Sequence, residues 1–311
     1  VGFGEILNTE KALSVIAGIF LSVAIAFDFG TIVMWIARIV FTFNFKKHLR
    51  YTIGIFGGIA ITSIVYFMLV KGLKTSSIMT PELKAWIDSN TWQLLLYMFL
   101  GFSVIMQLLH WCKVNVLRIV VLSGTFALAM AFAGNDLVNF IGVPLAGLDS
   151  YQYYMSEGSG VPSEYLMGRL NDPATSPFIY LALAGVIMVI ALLTSKKAHN
   201  VVKTSLDLSK QGDGDEIFAS SKIARTLVRN TMATANTISN LIPERVKSWV
   251  NNRFDNSKTD MPEGAAFDTV RAAVNLVLAG LLIAAGTSLK LPLSTTYVTF
   301  MVAMGTSLAD R

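Results

Sequence analysis

The chain is predicted to be all-α: a polytopic transmembrane helical bundle that contains broken or re-entrant helices. Three observations predict it. Across 311 residues, 53% are hydrophobic and only 14% charged, with a mean hydropathy of +0.57, whereas soluble domains are about one-quarter charged. Apolar runs of about 20 residues, the length needed to cross a bilayer, recur between short polar turns. Two of these runs carry polar residues and helix breakers at their middle, where polar groups are costly in lipid.

The same composition narrows the function classes. The net charge of +5 and pI of about 9.2 fit basic loops that orient membrane spans better than nucleic-acid binding. One cysteine, Cys112, excludes an internal disulfide and any multi-cysteine metal site. His48, His110 and His199 lack metal-ligand spacing, and no nucleophile–base pair suggests an enzyme. The chain opens on Val1 rather than Met and stops at Arg311 after an apolar segment, so a fragment of a longer protein is expected.

In order, Ala12–Phe43 is a first span with Asp28 near its centre and Arg38 toward its end. Asp28 is either a cation or proton group or a packing residue with a polar partner. Tyr51–Val70 is the second span, and Gly54 and Gly58 have the small-xxx-small spacing that admits a close neighbouring helix. A mixed loop, Lys71–Asn90, leads to the third span, Thr91–Cys112, whose His110-Trp111 end fits an interfacial belt. Residues Val116–Leu148 form a long apolar run interrupted by Asn135, Asp136 and Asn139. Asp149–Ser176, acidic and rich in Tyr, is expected to be an extracytoplasmic loop, and Pro177–Thr194 the next span. Ser195–Gly264 is the soluble-looking part, with eleven Lys or Arg against eight acids. Its Gly212–Asp215 segment fits a turn, and Ile217–Phe254 has the periodicity of paired amphipathic helices at the inner membrane surface. Phe267–Leu289 is a further span, followed by Leu291-Pro292-Leu293-Ser294-Thr295-Thr296-Tyr297. The organisation is thus 1–195, 196–264 and 265–311. Placing Lys46–Arg50, Lys113–Arg118 and Lys196–Lys258 on the cytoplasmic side makes the spans alternate consistently.

Chemistry concentrates at the two interruptions. Gly134 permits the chain to leave helical geometry, and Asn135 or Asp136 can cap a helix restarting at Leu137, which predicts a broken helix. Pro292 stops the helix from Phe267–Leu289, and Ser294, Thr295 and Thr296 are suitable caps for a restart at Tyr297. Exposed helix ends offer amides to an anion and carbonyls to a small cation. Arg271 and Asn275, one turn apart, share a face, and Arg271 either snorkels to the interface or contacts an anion at the inner mouth.

The elements Ala133-Gly134-Asn135-Asp136-Leu137-Val138-Asn139…Gly142-Val143-Pro144-Leu145 and Leu291-Pro292-Leu293-Ser294-Thr295-Thr296-Tyr297 together resemble the paired signature of the inorganic phosphate transporters (PiT). The sequence differs from that signature in its Ala-Gly order, in the extra Val143, and in having Tyr297 where His is usual. The resemblance covers about Val116–Leu148 and Phe267–Ser307 and matches the second of the family's two signature copies, so the first is expected upstream of Val1. It implies half of an inverted-repeat secondary transporter in the cell (plasma or inner) membrane. Such a protein carries inorganic phosphate together with sodium or protons by alternating access, with no other cofactor, and a homodimer is left open. By motif position, Asn135, Asp136, Ser294, Thr295 and Thr296 would contact phosphate, with Arg271 added by its face. Asp136, Asn139 and Asn135 would hold the cation, Asp136 and Asn139 being the sodium ligands. Another oxyanion such as sulfate, an anion channel and a non-transporting membrane subunit are the alternatives.

Overall fold

The computed structural model describes residues 9–42, 45–71, 80–158, 168, 177–207, 243–254, 268–289, 291 and 293–309. Helices make up almost all of it, and no strand occurs among the described residues.

Helix α1 (Thr9–Phe41) has Glu10 in its first turn and Arg38 in its last, charges that complement the helix dipole. It stops at Thr42, whose φ of 55° turns the chain. Helix α2 (Phe45–Val65) widens into a π-helical turn at Tyr66–Lys71. Where a loop was expected, α3 (Pro81–Ser89) forms, because Thr80 caps it by accepting from the Leu83 N–H and Pro81 suits a first helical turn. Helix α4 (Thr91–Trp111) is followed by a turn through Lys113 at φ 64°. Helix α5 (Val116–Glu157) is capped by Asn115 Oδ1, which accepts from the Arg118 N–H. Next come α6 (Phe178–Thr194), α7 (Lys196–Asp207), α8 (Glu244–Arg253), α9 (Thr269–Ser288) and α10 (Thr295–Ala309).

Among the described residues, four helices are long and apolar enough to cross a membrane: Ala12–Phe41, Thr91–Trp111, Val116–Glu157 and Thr269–Ser288. Thr52–Met68 and Phe178–Thr194 are apolar but shorter. The turn expected at Gly212–Asp215 and most of the expected amphipathic stretch from Ile217 lie outside the described residues; α8 covers its last part.

The first of the two expected interruptions is absent. Helix α5 runs for 42 residues through Gly134, Asn135 and Asp136 and on through Pro144. A helix keeps its amides bonded internally, whereas a break within lipid exposes them at several kcal/mol each, and that outweighs the local preferences of one Gly, one Asn and one Asp. The helix also continues to Glu157, through residues expected to begin the acidic loop. At about 1.5 Å per residue it is about 63 Å long, twice the roughly 30 Å of a bilayer core. The second interruption is present: α9 ends at Ser288 and α10 begins at Thr295, two residues before the restart expected at Tyr297.

Three helix pairs organise the packing. Gly54, Gly57 and Gly58 of α2 lie against Ser103, Met106 and Gln107 of α4, the close approach that the Gly54 and Gly58 spacing predicts, and the two helices run antiparallel. Gly124 and Gly280 bring α5 and α9 together, with Gly124 on Leu276 and Val277, and Gly280 on Ala127 and Leu128. The constant offset makes α5 and α9 parallel. Gly30 of α1 meets the Val302 backbone of α10, and Gly305 meets Phe27 and Thr31. Arg38 at the end of α1 and Thr306 near the end of α10 both reach the first half of α9, so α1 and α10 run together and opposite to α9.

Candidate functional site

The break between α9 and α10 places Thr295 in the first turn of α10, facing Asp136 on α5. The Thr295 hydroxyl lies 3.0 Å from Asp136 Oδ1 and 3.2 Å from Oδ2. Asn135 Nδ2 donates to Asp136 Oδ1 at 3.2 Å, and the Thr287 hydroxyl donates to Asn135 Oδ1 at 3.5 Å. The two sequence elements therefore meet in one chain of polar side chains, Thr287–Asn135–Asp136–Thr295. Asn135 and Thr295 are buried and Asp136 is half-buried. Beneath them, Ala26, Ala131, Leu278, Ala279, Ile283, Leu293, Val298 and Val302 form a continuous apolar cluster.

The expected site residues do not all gather here. Ser294 is half-buried beside Thr295, and its carbonyl accepts the first α10 bond, from the Val298 N–H at 3.0 Å. Thr296 and Tyr297 turn outward and are exposed. Asn139 is exposed one turn beyond Asn135, because an unbroken α5 carries it along the helix instead of folding it back. Arg271 is buried, but it precedes Thr287 by sixteen residues of the same helix, about 24 Å along the axis. That separation puts Asp136 beyond the reach of its side chain. Asp28 is exposed on α1.

A second polar cluster sits at the start of α9, and sequence reasoning missed its core. Arg38 of α1 and Asp268 form an ion pair at 2.6 Å, with side chains 0% and 3% exposed. Asp268 also caps α9, its Oδ1 accepting from the N–H groups of Val270 at 2.8 Å and Arg271 at 3.4 Å. One turn deeper, the Thr306 hydroxyl donates to Asn275 Oδ1 at 2.6 Å. Residues 230 apart in sequence leave no local trace of pairing; Arg38 and Asp268 are each visible only as a charge at the edge of an apolar run. Thr287 was also missed, although Gly286-Thr287-Ser288 interrupts the apolar pattern at the end of α9.

Chemically, the first cluster offers a carboxylate, a carboxamide and two hydroxyls, oxygen donors of the kind hard cations take. Hydroxyl and amide donors beside a helix N-terminus are also of the kind an oxyanion takes. Among the described residues there is no group of three His, Cys, Asp or Glu placed to hold a metal ion. Comparison with protein-family models, curated proteins and solved structures finds no match.

Proposed function

We propose that the protein is part of a secondary transporter for inorganic phosphate in a cell membrane, coupled to sodium or protons, with Asp136 as the residue that links the two solutes. The observation that carries this reading is the hydrogen bonding of Thr295 to both Asp136 oxygens, which joins the two elements on which the phosphate-transporter resemblance rests. The helix directions add support. Parallel α5 and α9, with α1 and α10 opposed to α9, agree with the alternation obtained from the basic loops.

The geometry suggests how coupling would arise. Asp136 now accepts from the hydroxyl of Thr295 in the first turn of α10, beside the positive helix end that an oxyanion would favour. A sodium ion or a proton on the carboxylate neutralises it and frees that hydroxyl. Phosphate then enters a site from which an unneutralised carboxylate would repel it. Asn135, held by Thr287, supplies both an oxygen and an N–H at the junction. Ser294 adds a hydroxyl, and Asn139 and Thr296 lie at the exposed edge.

The test is uptake of labelled phosphate into cells or proteoliposomes by the full-length protein and by its Asp136→Asn and Thr295→Ala variants. Both substitutions are expected to reduce uptake at least tenfold, with loss of cation dependence in Asp136→Asn. Undiminished uptake in both removes the assignment. Unlabelled sulfate that competes as well as unlabelled phosphate would make the substrate oxyanions generally.

A further inference from the structure

We infer that α1 with α10 and α5 with α9 form two rigid plates, and that the Arg38–Asp268 pair is the latch that keeps the seam between them shut at one end. Within each plate glycines bring the helices close: Gly30 and Gly305 onto the backbone of Val302 and of Phe27 and Thr31 in one, Gly280 onto the backbone of Ala127 and Leu128 and Gly124 onto the Leu276 and Val277 side chains in the other. A Cβ at Gly30 or Gly305 would meet main-chain atoms, so α1 and α10 move together or not at all.

Between the plates the contact is of a different kind. Among the described residues, polar links cross the seam at three depths, among them Thr295 to Asp136, Thr306 to Asn275, and Arg38 to Asp268. The space between the first two is filled by Ala279, Ile283, Val298 and Val302. In a bilayer, apolar side chains gain little by leaving lipid for one another. Polar links therefore weigh more in holding such a seam than they would in water. The Arg38 pair is the strongest of the three by charge and burial, and it stands at the end of the seam. Separating it lets α1 and α10 swing from α9 as one body and opens a path from that end to Asp136. The purpose of the movement rests on the transport reading; the movement itself does not, and it is tested without phosphate.

The experiment uses the full chain in proteoliposomes with Cys112→Ser, so that Ala279→Cys is the only reactive thiol in the seam. A membrane-impermeant maleimide is applied from the side bearing Arg38 and Asp268. Alkylation is expected to be very slow with the latch intact and to rise about tenfold or more in Asp268→Asn as the open population grows, and to stay low in Arg38→Lys, which keeps the charge. Met106→Cys, packed on Gly57 in the α2–α4 pair, is expected to stay unreactive throughout, which separates seam opening from general unfolding. Equal rates at Ala279→Cys with and without Asp268, fast alkylation with the latch intact, or a parallel rise at Met106→Cys each overturn the inference. Absent phosphate uptake with the expected alkylation pattern would instead count against the transport reading alone.

Discussion

Replacing Gly134 by Ala separates a continuous α5 from a helix that breaks at the Asn-Asp element. A Cβ at Gly134 meets no atom within 4 Å outside its own helix backbone, and the residue is exposed in the middle of a 42-residue helix. The substitution therefore adds no clash and removes the backbone-entropy cost of glycine, a gain of about 0.5–1 kcal/mol in a helix interior. For a chain of this size that corresponds to a rise of roughly 1–4 °C in melting temperature. Thermal unfolding in detergent, followed by circular dichroism or by intrinsic Trp fluorescence, reads it directly. Gly134→Pro is the opposing variant: it removes the N–H that bonds the Met130 carbonyl and costs about 3 kcal/mol or more if α5 is continuous. At a helix break either residue would behave differently, Ala losing stability where glycine-only geometry is needed. A fall in melting temperature for Gly134→Ala, together with tolerance of Gly134→Pro, would refute the continuous helix.

Other substitutions probe the contacts around it. Asp268→Asn keeps an oxygen to cap α9 but leaves Arg38 buried beside a neutral group, and is expected to cost about 3–5 kcal/mol; Asp268→Ala also removes the cap and should cost about 1 kcal/mol more, both read by unfolding of the purified protein. Gly305→Leu places a side chain into the Phe27 and Thr31 backbone and is expected to abolish the folded, monodisperse fraction in size-exclusion chromatography, whereas the same change at Gly101, which faces open space, should leave it intact. Thr287→Val removes only a 3.5 Å hydrogen bond, so its stability cost should stay below about 1 kcal/mol, and on the transport reading phosphate uptake should fall less than in Thr295→Ala.

The helices were legible because their signal is long: apolar runs such as Thr91–Trp111 set the element by length alone. Gly54 and Gly58 announced a close neighbour because small residues one turn apart have little other use on an apolar helix. Pro292 and the Ser-Thr-Thr run announced the second interruption for a backbone reason, the missing N–H of proline. Gly134 misled because it permits a break without requiring one, and the bonded backbone of α5 wins. Residues Asp149–Glu157 look like loop by composition, yet they extend a helix already nucleated, which adds residues far more easily than it starts. Arg271 appeared to belong with Asp136 because sequence reports which face a residue occupies but not how far along a helix its partner lies. The Arg38–Asp268 pair had no signature, since neither residue's surroundings name the other.

One break among the two expected still brings the elements together, and its placement has an electrostatic consequence. With α5 continuous, Asp136 has no restarting helix of its own to cap, so its carboxylate turns to α10 and takes the Thr295 hydroxyl. A single negative charge about 4 Å from that carboxylate would meet repulsion of about 4 kcal/mol at an effective dielectric of about 20. That is close to a thousandfold in affinity, before any second phosphate charge is counted. On the transport reading, the cation or proton that cancels the carboxylate therefore controls nearly all productive anion binding. A broken α5 would have supplied a second helix N-terminus to offset the repulsion and loosened that dependence. The continuous helix thus makes strict coupling the expected behaviour, and appreciable phosphate uptake in the absence of any sodium or proton gradient-forming cation would contradict it.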